Sequence, residues 1–269
     1  MQQPTWDPQQ YLRHATPRTR PFHDLLARVP ALPADRPRIA DLGCGPGNVT
    51  ALLADRWPTA DITGYDNSPD MLATAARHAG PTPGGGTLTF HHADAATWTP
   101  TTTHHLIVSN AALQWVPNHP DLIPGWIDHL APGGTFALQV PGNFTAPSHG
   151  LLAELCESPE WRHRLTGHGR DYVHILDPAG YLELLDGLDC AVDTWETTYV
   201  QLLPGDDPVL DWTKGTALRP ILTALADDPD AREEFLAQYR DLLRKAYPGG
   251  PRGTVFPFRR VFAVATKRH

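Results

Sequence analysis

The chain has 269 residues, 41% hydrophobic and 19% charged. That composition excludes a disordered or fibrous polymer, and the length suffices to bury a sizeable core without disulfides. A net charge of −8, from 22 basic against 30 acidic residues, disfavours sequence-independent nucleic-acid binding, which needs cations to neutralise phosphates.

The first strong element is Arg38–Leu42, an apolar run that reads as a buried strand and ends in a glycine-rich turn. Val49, Leu52, Leu53 and Trp57 then fall at helical spacing, and Pro58 stops that helix. Asp61–Tyr65 reads as a second strand. Ser68-Pro69 gives an N-cap followed by proline at the first helical position, and Met71, Leu72, Ala75 and Ala76 carry the helix on. Leu88–Phe90 and Leu106–Val108 read as further strands, with a helix over Asp121–Leu130 and a fifth strand over Thr135–Val140. Beyond these come a helix over Asp177–Leu185, strand character over Cys190–Leu202, a helical stretch over Val209–Tyr247 and a closing strand that includes Val261–Ala265. Strand alternating with helix specifies an α/β, doubly wound, mostly parallel sheet of seven strands with helices on both faces. A single domain over residues 1–269 is expected, with a cofactor-binding core over 30–145 and a substrate-covering elaboration over 146–250. The helical insertion 206–247 serves in that elaboration as a lid.

The segment Asp41-Leu42-Gly43-Cys44-Gly45-Pro46-Gly47 joins a strand to a helix, the position where open α/β sheets bind ligands. Glycines there let the backbone turn sharply and approach a ligand. The spacing is G-x-G-x-G, and Asn48 stands where a nicotinamide dinucleotide fold would place its third glycine. Asp66 ends the second strand, 23 residues after Gly43, where a carboxylate accepts both hydroxyls of a ribose. Asp94 follows the third strand. One glycine turn and one acid per strand end, in this order, point to a nucleoside-bearing ligand. No metal ligand set is expected. Cys44, Cys156 and Cys190 show neither metal spacing nor an even disulfide framework, and a reducing cytoplasm is the expected compartment. No run approaches the ~18 apolar residues of a membrane span, and the N-terminus shows no secretory pattern.

These motifs, with Leu130-Ala131-Pro132-Gly133-Gly134, resemble those of class I S-adenosylmethionine-dependent methyltransferases. More specific stretches resemble the trans-aconitate methyltransferase family. They are Trp6-Asp7-Pro8, Tyr11-Leu12, Arg18-Thr19-Arg20-Pro21, Ser109–Trp115, Gln139–Asn143, Trp195–Tyr199, Asp211-Trp212, Gly215–Pro220 and Phe256–Phe262. The resemblance implies a Rossmann-like fold with S-adenosyl-L-methionine as cofactor and S-adenosyl-L-homocysteine as product. It implies that Gly43, Gly45 and Gly47 border the methionine part, that Asp41 supports the turn and orients the ammonium, and that Asp66 takes the ribose. Met71 packs on the adenine, Asp94 accepts from its amino group beside the N–H of Ala95, and Asn110 faces the methionine side and the transferring methyl. Cys44 is expected to be a buried filler.

The implied acceptor is a small polycarboxylic acid such as trans-aconitate. Planar guanidinium groups suit carboxylates, so among Arg18, Arg20, Arg219, Arg259 and Arg260 the expected anchors are Arg219 and Arg260, with Arg20 third. Tyr11, Trp115, Asn143, His149 and Tyr199 complete the expected acceptor set. A carboxylate is ionised at neutral pH and attacks directly, so no base, metal or triad is required; Asn110 and Trp115 position the reactants. A phenol or amine acceptor would instead need a base, with His149 or His174 as candidates. The competing readings are a methyltransferase acting on a secondary metabolite, a nicotinamide oxidoreductase and a non-catalytic nucleotide-binding protein.

Overall fold

The computed structural model describes residues 15–168 and 175–268, with side chains from residue 19 onward. The expected roles of Trp6, Tyr11 and His174, and of the Arg18 side chain, lie outside the described residues. The chain divides into two compact units.

The larger unit holds residues 16–141, 175–197 and 260–268. It opens with α1 (Ala15–Arg28). Then come β1 (Arg38–Leu42), α2 (Thr50–Arg56), β2 (Asp61–Asp66), α3 (Pro69–Ala75) and the two-residue β3 (Gly80–Pro81). They are followed by β4 (Thr87–His92), β5 (His104–Asn110), α4 (His119–Asp128) and β6 (Leu130–Pro141). Strands β1 and β2, β1 and β5, β2 and β4, and β5 and β6 pair in parallel. Ser68 caps α3 by accepting from the Met71 N–H, with Pro69 at the first helical position, as its sequence specifies.

The other unit contains α5 (Pro147–Cys156) and the short α6 (Arg162–Leu165). The chain then returns to the larger unit as α7 (Pro178–Asp186) and β7 (Cys190–Leu203), whose last residues belong again to the second unit. There follow α8 (Pro208–Lys214), α9 (Arg219–Ala224), α10 (Pro229–Ala246), the two-residue β8 (Gly249–Gly250) and β9 (Gly253–Lys267). From Arg260 onward β9 belongs to the larger unit, where it pairs antiparallel with β6.

Among the described residues the strand order is β3-β4-β2-β1-β5-β6-β9-β7, with β8 paired to β9 off this path. Seven of these are the long strands expected from the sequence, and β3 and β8 are two-residue additions. The helical stretch Val209–Tyr247 comprises three helices. Gly215 closes α8, and Asp228 caps α10 by accepting from the Ala231 N–H. The segment Ala131–Gly134 lies inside β6 rather than before it, with an irregularity opposite it between His104 and Leu106.

Alternation along the strands sorts the core. In the larger unit Phe136, Leu138, Val140, Val261 and Ala263 join Trp126 and Tyr181 in one buried cluster. His119, fully buried, pins α4 to α7: its Nε2 lies 2.7 Å from the Tyr181 hydroxyl and its Nδ1 3.1 Å from the Val116 carbonyl. Lys267 Nζ donates to the carbonyls of Ile127, Asp128 and Leu130 at 3.0–3.2 Å, closing the C-terminus of α4 with a cation where carbonyls are exposed. The second unit has its own core, in which Trp161, Trp212, Phe235, Tyr239 and Phe256 are buried together. Among the described residues no helix is long and apolar enough to cross a membrane.

Candidate functional site

The glycine turn follows β1 at the carboxyl end of the parallel strands. Gly43, Gly45 and Gly47 all have positive φ, at 74°, 55° and 77°, a region that costs residues with a Cβ. At Gly43 a Cβ would lie 2.1 Å from that of Ala112, and at Gly47 2.9 Å from Ala75 Cβ and the Phe90 ring. These two glycines therefore close the turn against its own protein. At Gly45 a Cβ would meet nothing within 4 Å, which leaves backbone there open to a ligand.

Asp41 lies beneath the turn at 1% exposure and accepts from the Thr50 hydroxyl at 2.7 Å. Burial pushes its carboxyl up to about 7, with the Thr50 bond opposing and the Asp66 charge adding. Asp66 ends β2 and accepts from two backbone N–H groups, Gly45 at 2.8 Å and Ser68 at 2.9 Å. Burial raises its carboxyl while those bonds and His92 lower it. Each of its oxygens keeps further acceptor capacity. Asp94 is partly exposed and accepts from the Ala96 N–H at 2.9 Å, shaping the turn that contains Ala95. Met71 is buried on α3 at 4% exposure. Cys44 is buried at 2%, and burial together with Asp41 and Asp66 pushes its thiol far up, so it is packing rather than a nucleophile.

Asn110 ends β5 at 7% exposure, and its Oδ1 is buried without a hydrogen-bond partner. The next residue, Ala111, has φ 56°, in the left-handed region that a non-glycine residue enters at a cost. Gln114 donates to the Ala111 carbonyl at 2.7 Å, and Trp115 is partly buried at the end of the same 3-10 turn.

Of the expected anchors in the larger unit, Arg260 is buried at 5% exposure and donates to Gln139 Oε1 at 3.5 Å, whereas Arg20 is exposed on α1. In the second unit Arg219 begins α9 and is partly buried. Asn143 is buried at 2%; its Oδ1 accepts from the Arg259 N–H and its Nδ2 has no partner. His149 lies 3.1 Å from Ser148 Oγ with the Phe144 ring edge-on, and burial pushes its imidazole down to about 4. Tyr199 is buried at 4%. Sequence reading passed over Thr50, which holds Asp41, and over Gln114 and Gln139 as individual residues. The signal for Gln139 was present: it is the lone amide in the buried run Phe136–Val140.

Residues 39–134 match the family described as a methyltransferase domain. The chain is 67% identical over 264 residues to the trans-aconitate 2-methyltransferase of Streptomyces coelicolor, covering 98% of this chain and 87% of that protein. It is 65% identical over 265 residues to the protein of that name in Streptomyces avermitilis, covering 98% and 97%. The chain belongs to the trans-aconitate 2-methyltransferase family. A putative methyltransferase from Bacillus halodurans shares the fold, with a TM-score of 0.55 at 15% identity over 92% of this chain and 98% of that one. Family membership bears out the resemblance carried by the glycine turn and flanking motifs, and it removes the nicotinamide oxidoreductase reading.

Proposed function

We infer that this chain is a carboxyl O-methyltransferase that converts trans-aconitate to a methyl ester with S-adenosylmethionine as cofactor. The observation that carries this is the 67% and 65% identity, over 98% of the chain, to enzymes of that name. When bound, the cofactor supplies a sulfonium methyl already activated for transfer. The residues present fit it. Backbone at Gly45 is open, Asp66 retains acceptor sites, and the orphaned Asn110 Oδ1 matches the ammonium of a methionine moiety.

In this reading Gly43, Gly45 and Gly47 border the methionine portion, and Asp41 sets the turn and complements the ammonium. Asp66 binds the ribose hydroxyls. Asp94, Ala95 and Met71 receive the adenine. The acceptor falls to Arg260, Arg20 and Arg219, with Trp115, Asn143, His149, Tyr199 and Tyr11. The 146–250 elaboration serves the acceptor and the 30–145 core serves the cofactor.

No proton needs to move, because a carboxylate is ionised at neutral pH. Catalysis then rests on holding two reactants at attack distance. Burial keeps the His149 imidazole neutral, so it supplies a polar contact rather than a charge. The test is a panel of carboxylic acids scored for conversion of S-adenosylmethionine to S-adenosylhomocysteine. Turnover with trans-aconitate above other di- and tricarboxylates is expected. Turnover of a phenolic or amine acceptor with none of trans-aconitate would overturn the reading.

A further inference from the structure

We propose that Gln139 positions the carboxylate that is methylated, its side-chain N–H donating to one carboxylate oxygen while the other oxygen attacks. This rests on the carboxyl methyltransferase reading above.

Gln139 lies on β6 at 1% exposure, between Leu138 and Val140, both fully buried. Those two neighbours turn into the apolar cluster with Trp126 and Tyr181, so alternation places Gln139 on the opposite face of the sheet. Its orientation is fixed by chemistry. Arg260 Nη1 donates to Oε1 at 3.5 Å, and a guanidinium offers only donors. The amide oxygen therefore faces Arg260 and the amide nitrogen faces away. That nitrogen is buried and has no hydrogen-bond partner. A buried donor left unpaired is costly, and a ligand acceptor is the natural remedy.

The surroundings specify the ligand. Gln139 stands beside Asn110 in the β5–β6 register, and its carbonyl accepts from the Ala111 N–H at 2.8 Å. Asn110 Oδ1 is the matching orphan acceptor, and Gln114 Oε1 is a second. The carboxyl ends of β5 and β6 thus present one unsatisfied donor beside unsatisfied acceptors, next to the strained Ala111. Ammonium donors suit the acceptors, and a carboxylate oxygen suits the Gln139 donor.

A neutral donor is also the better choice for this reaction. A carboxylate oxygen forms a bond to the methyl carbon as the carbon–sulfur bond breaks, and that electron pair stays on sulfur. The negative and positive charges cancel on the way to the transition state. A cation clamped on the reacting carboxylate would stabilise the ground state more than the transition state and slow the step. An amide N–H orients the carboxylate without neutralising it. Arg260 sits behind the amide, where it polarises that N–H without touching the attacking group.

The test compares Gln139→Met and Gln139→Glu with wild type by calorimetric binding of S-adenosylhomocysteine and by kcat and KM for trans-aconitate. Methionine keeps the volume and loses the donor. Glutamate keeps the Arg260 contact, and so the fold, but places a negative charge against the acceptor. Both variants should bind S-adenosylhomocysteine within about twofold of wild type. Turnover per KM should fall about 10- to 100-fold for Gln139→Met and further for Gln139→Glu, with kcat carrying much of the loss in the methionine variant. Kinetics within twofold of wild type in both variants would refute the proposal. So would a loss of S-adenosylhomocysteine binding that parallels the loss of activity, because Gln139 would then be holding Asn110 or the fold. If wild type itself fails to methylate trans-aconitate, the functional reading fails instead.

Discussion

Asp41 is enclosed by protein, and its carboxyl sits near 7 because burial disfavours the ion. A raised carboxylate loses stability as pH increases: the unfolded chain ionises near 3.8 while the folded one holds its proton until about 7. A cationic ammonium brought close reverses that balance. Binding of S-adenosylhomocysteine at pH 6–7 should therefore release protons, read as calorimetric heats that change with buffer ionisation enthalpy. Buffer-independent heats would mean that Asp41 does not sense the cofactor. Asp66 makes a different prediction. Asp66→Ala removes an acceptor for the ribose and for the Gly45 and Ser68 N–H groups, and should weaken S-adenosylhomocysteine binding by about 1.5–3 kcal/mol, the scale of hydrogen bonds to a charged group. His149, pushed down to about 4, stays neutral across the working range. With S-adenosylmethionine saturating, so that Asp41 does not enter, the rate on trans-aconitate should accordingly be flat from pH 6 to 8, and His149→Gln should leave that flatness unchanged. A limb in the wild-type profile near pH 6.5 that the substitution removes would make His149 a base.

At the scale of elements, α10 contributes Phe235, Tyr239 and Leu243 to the second unit's core. Phe235 packs edge-on against Trp161 with centroids 5.1 Å apart, and the Tyr239 hydroxyl donates to the Ser148 carbonyl one residue from His149. Phe235→Ala should cost about 3–5 kcal/mol, the usual range for emptying a buried aromatic site, measured as a lower denaturant midpoint. Its signature is lost stability with unchanged S-adenosylhomocysteine affinity in the folded fraction, because Phe235 belongs to the unit that does not contain the glycine turn. The same scale shows why the expected helical stretch divides into three helices. Gly215 closes α8, and the Asp228-Pro229 pair begins α10. Periodicity marks the stretch as helical, whereas cap and proline chemistry marks where it divides.

For the whole molecule, the cofactor should act as a stability ligand. At about 100 times its dissociation constant, S-adenosylhomocysteine should add about 2.7 kcal/mol, seen as a raised Tm in a thermal shift assay. NAD at the same concentration should give no shift, since Asn48 replaces the third glycine of the dinucleotide pattern. A shift with NAD and none with S-adenosylhomocysteine would contradict the cofactor assignment.

Sequence alone determined the seven long strands, their order of alternation with helices, the glycine turn and the acids at 41, 66 and 94. Each of these is a local property: a run of apolar residues, a conformation open to glycine, or a side chain set by a strand end. The same logic identified Ser68-Pro69 as a helix start, because a cap needs only its own first turn. Tertiary structure alone decided which polar groups are satisfied. Gln139 reads as one amide in an apolar strand until Arg260, 121 residues later, faces its oxygen and leaves its nitrogen unpaired. Asp41 reads as a strand-end acid until burial raises it to about 7, and Arg260 and Arg20, the one ranked ahead of the other by motif alone, differ in burial only once the packing encloses the first and exposes the second. Burial and hydrogen-bond satisfaction depend on groups distant along the chain, and only the folded packing brings those groups together.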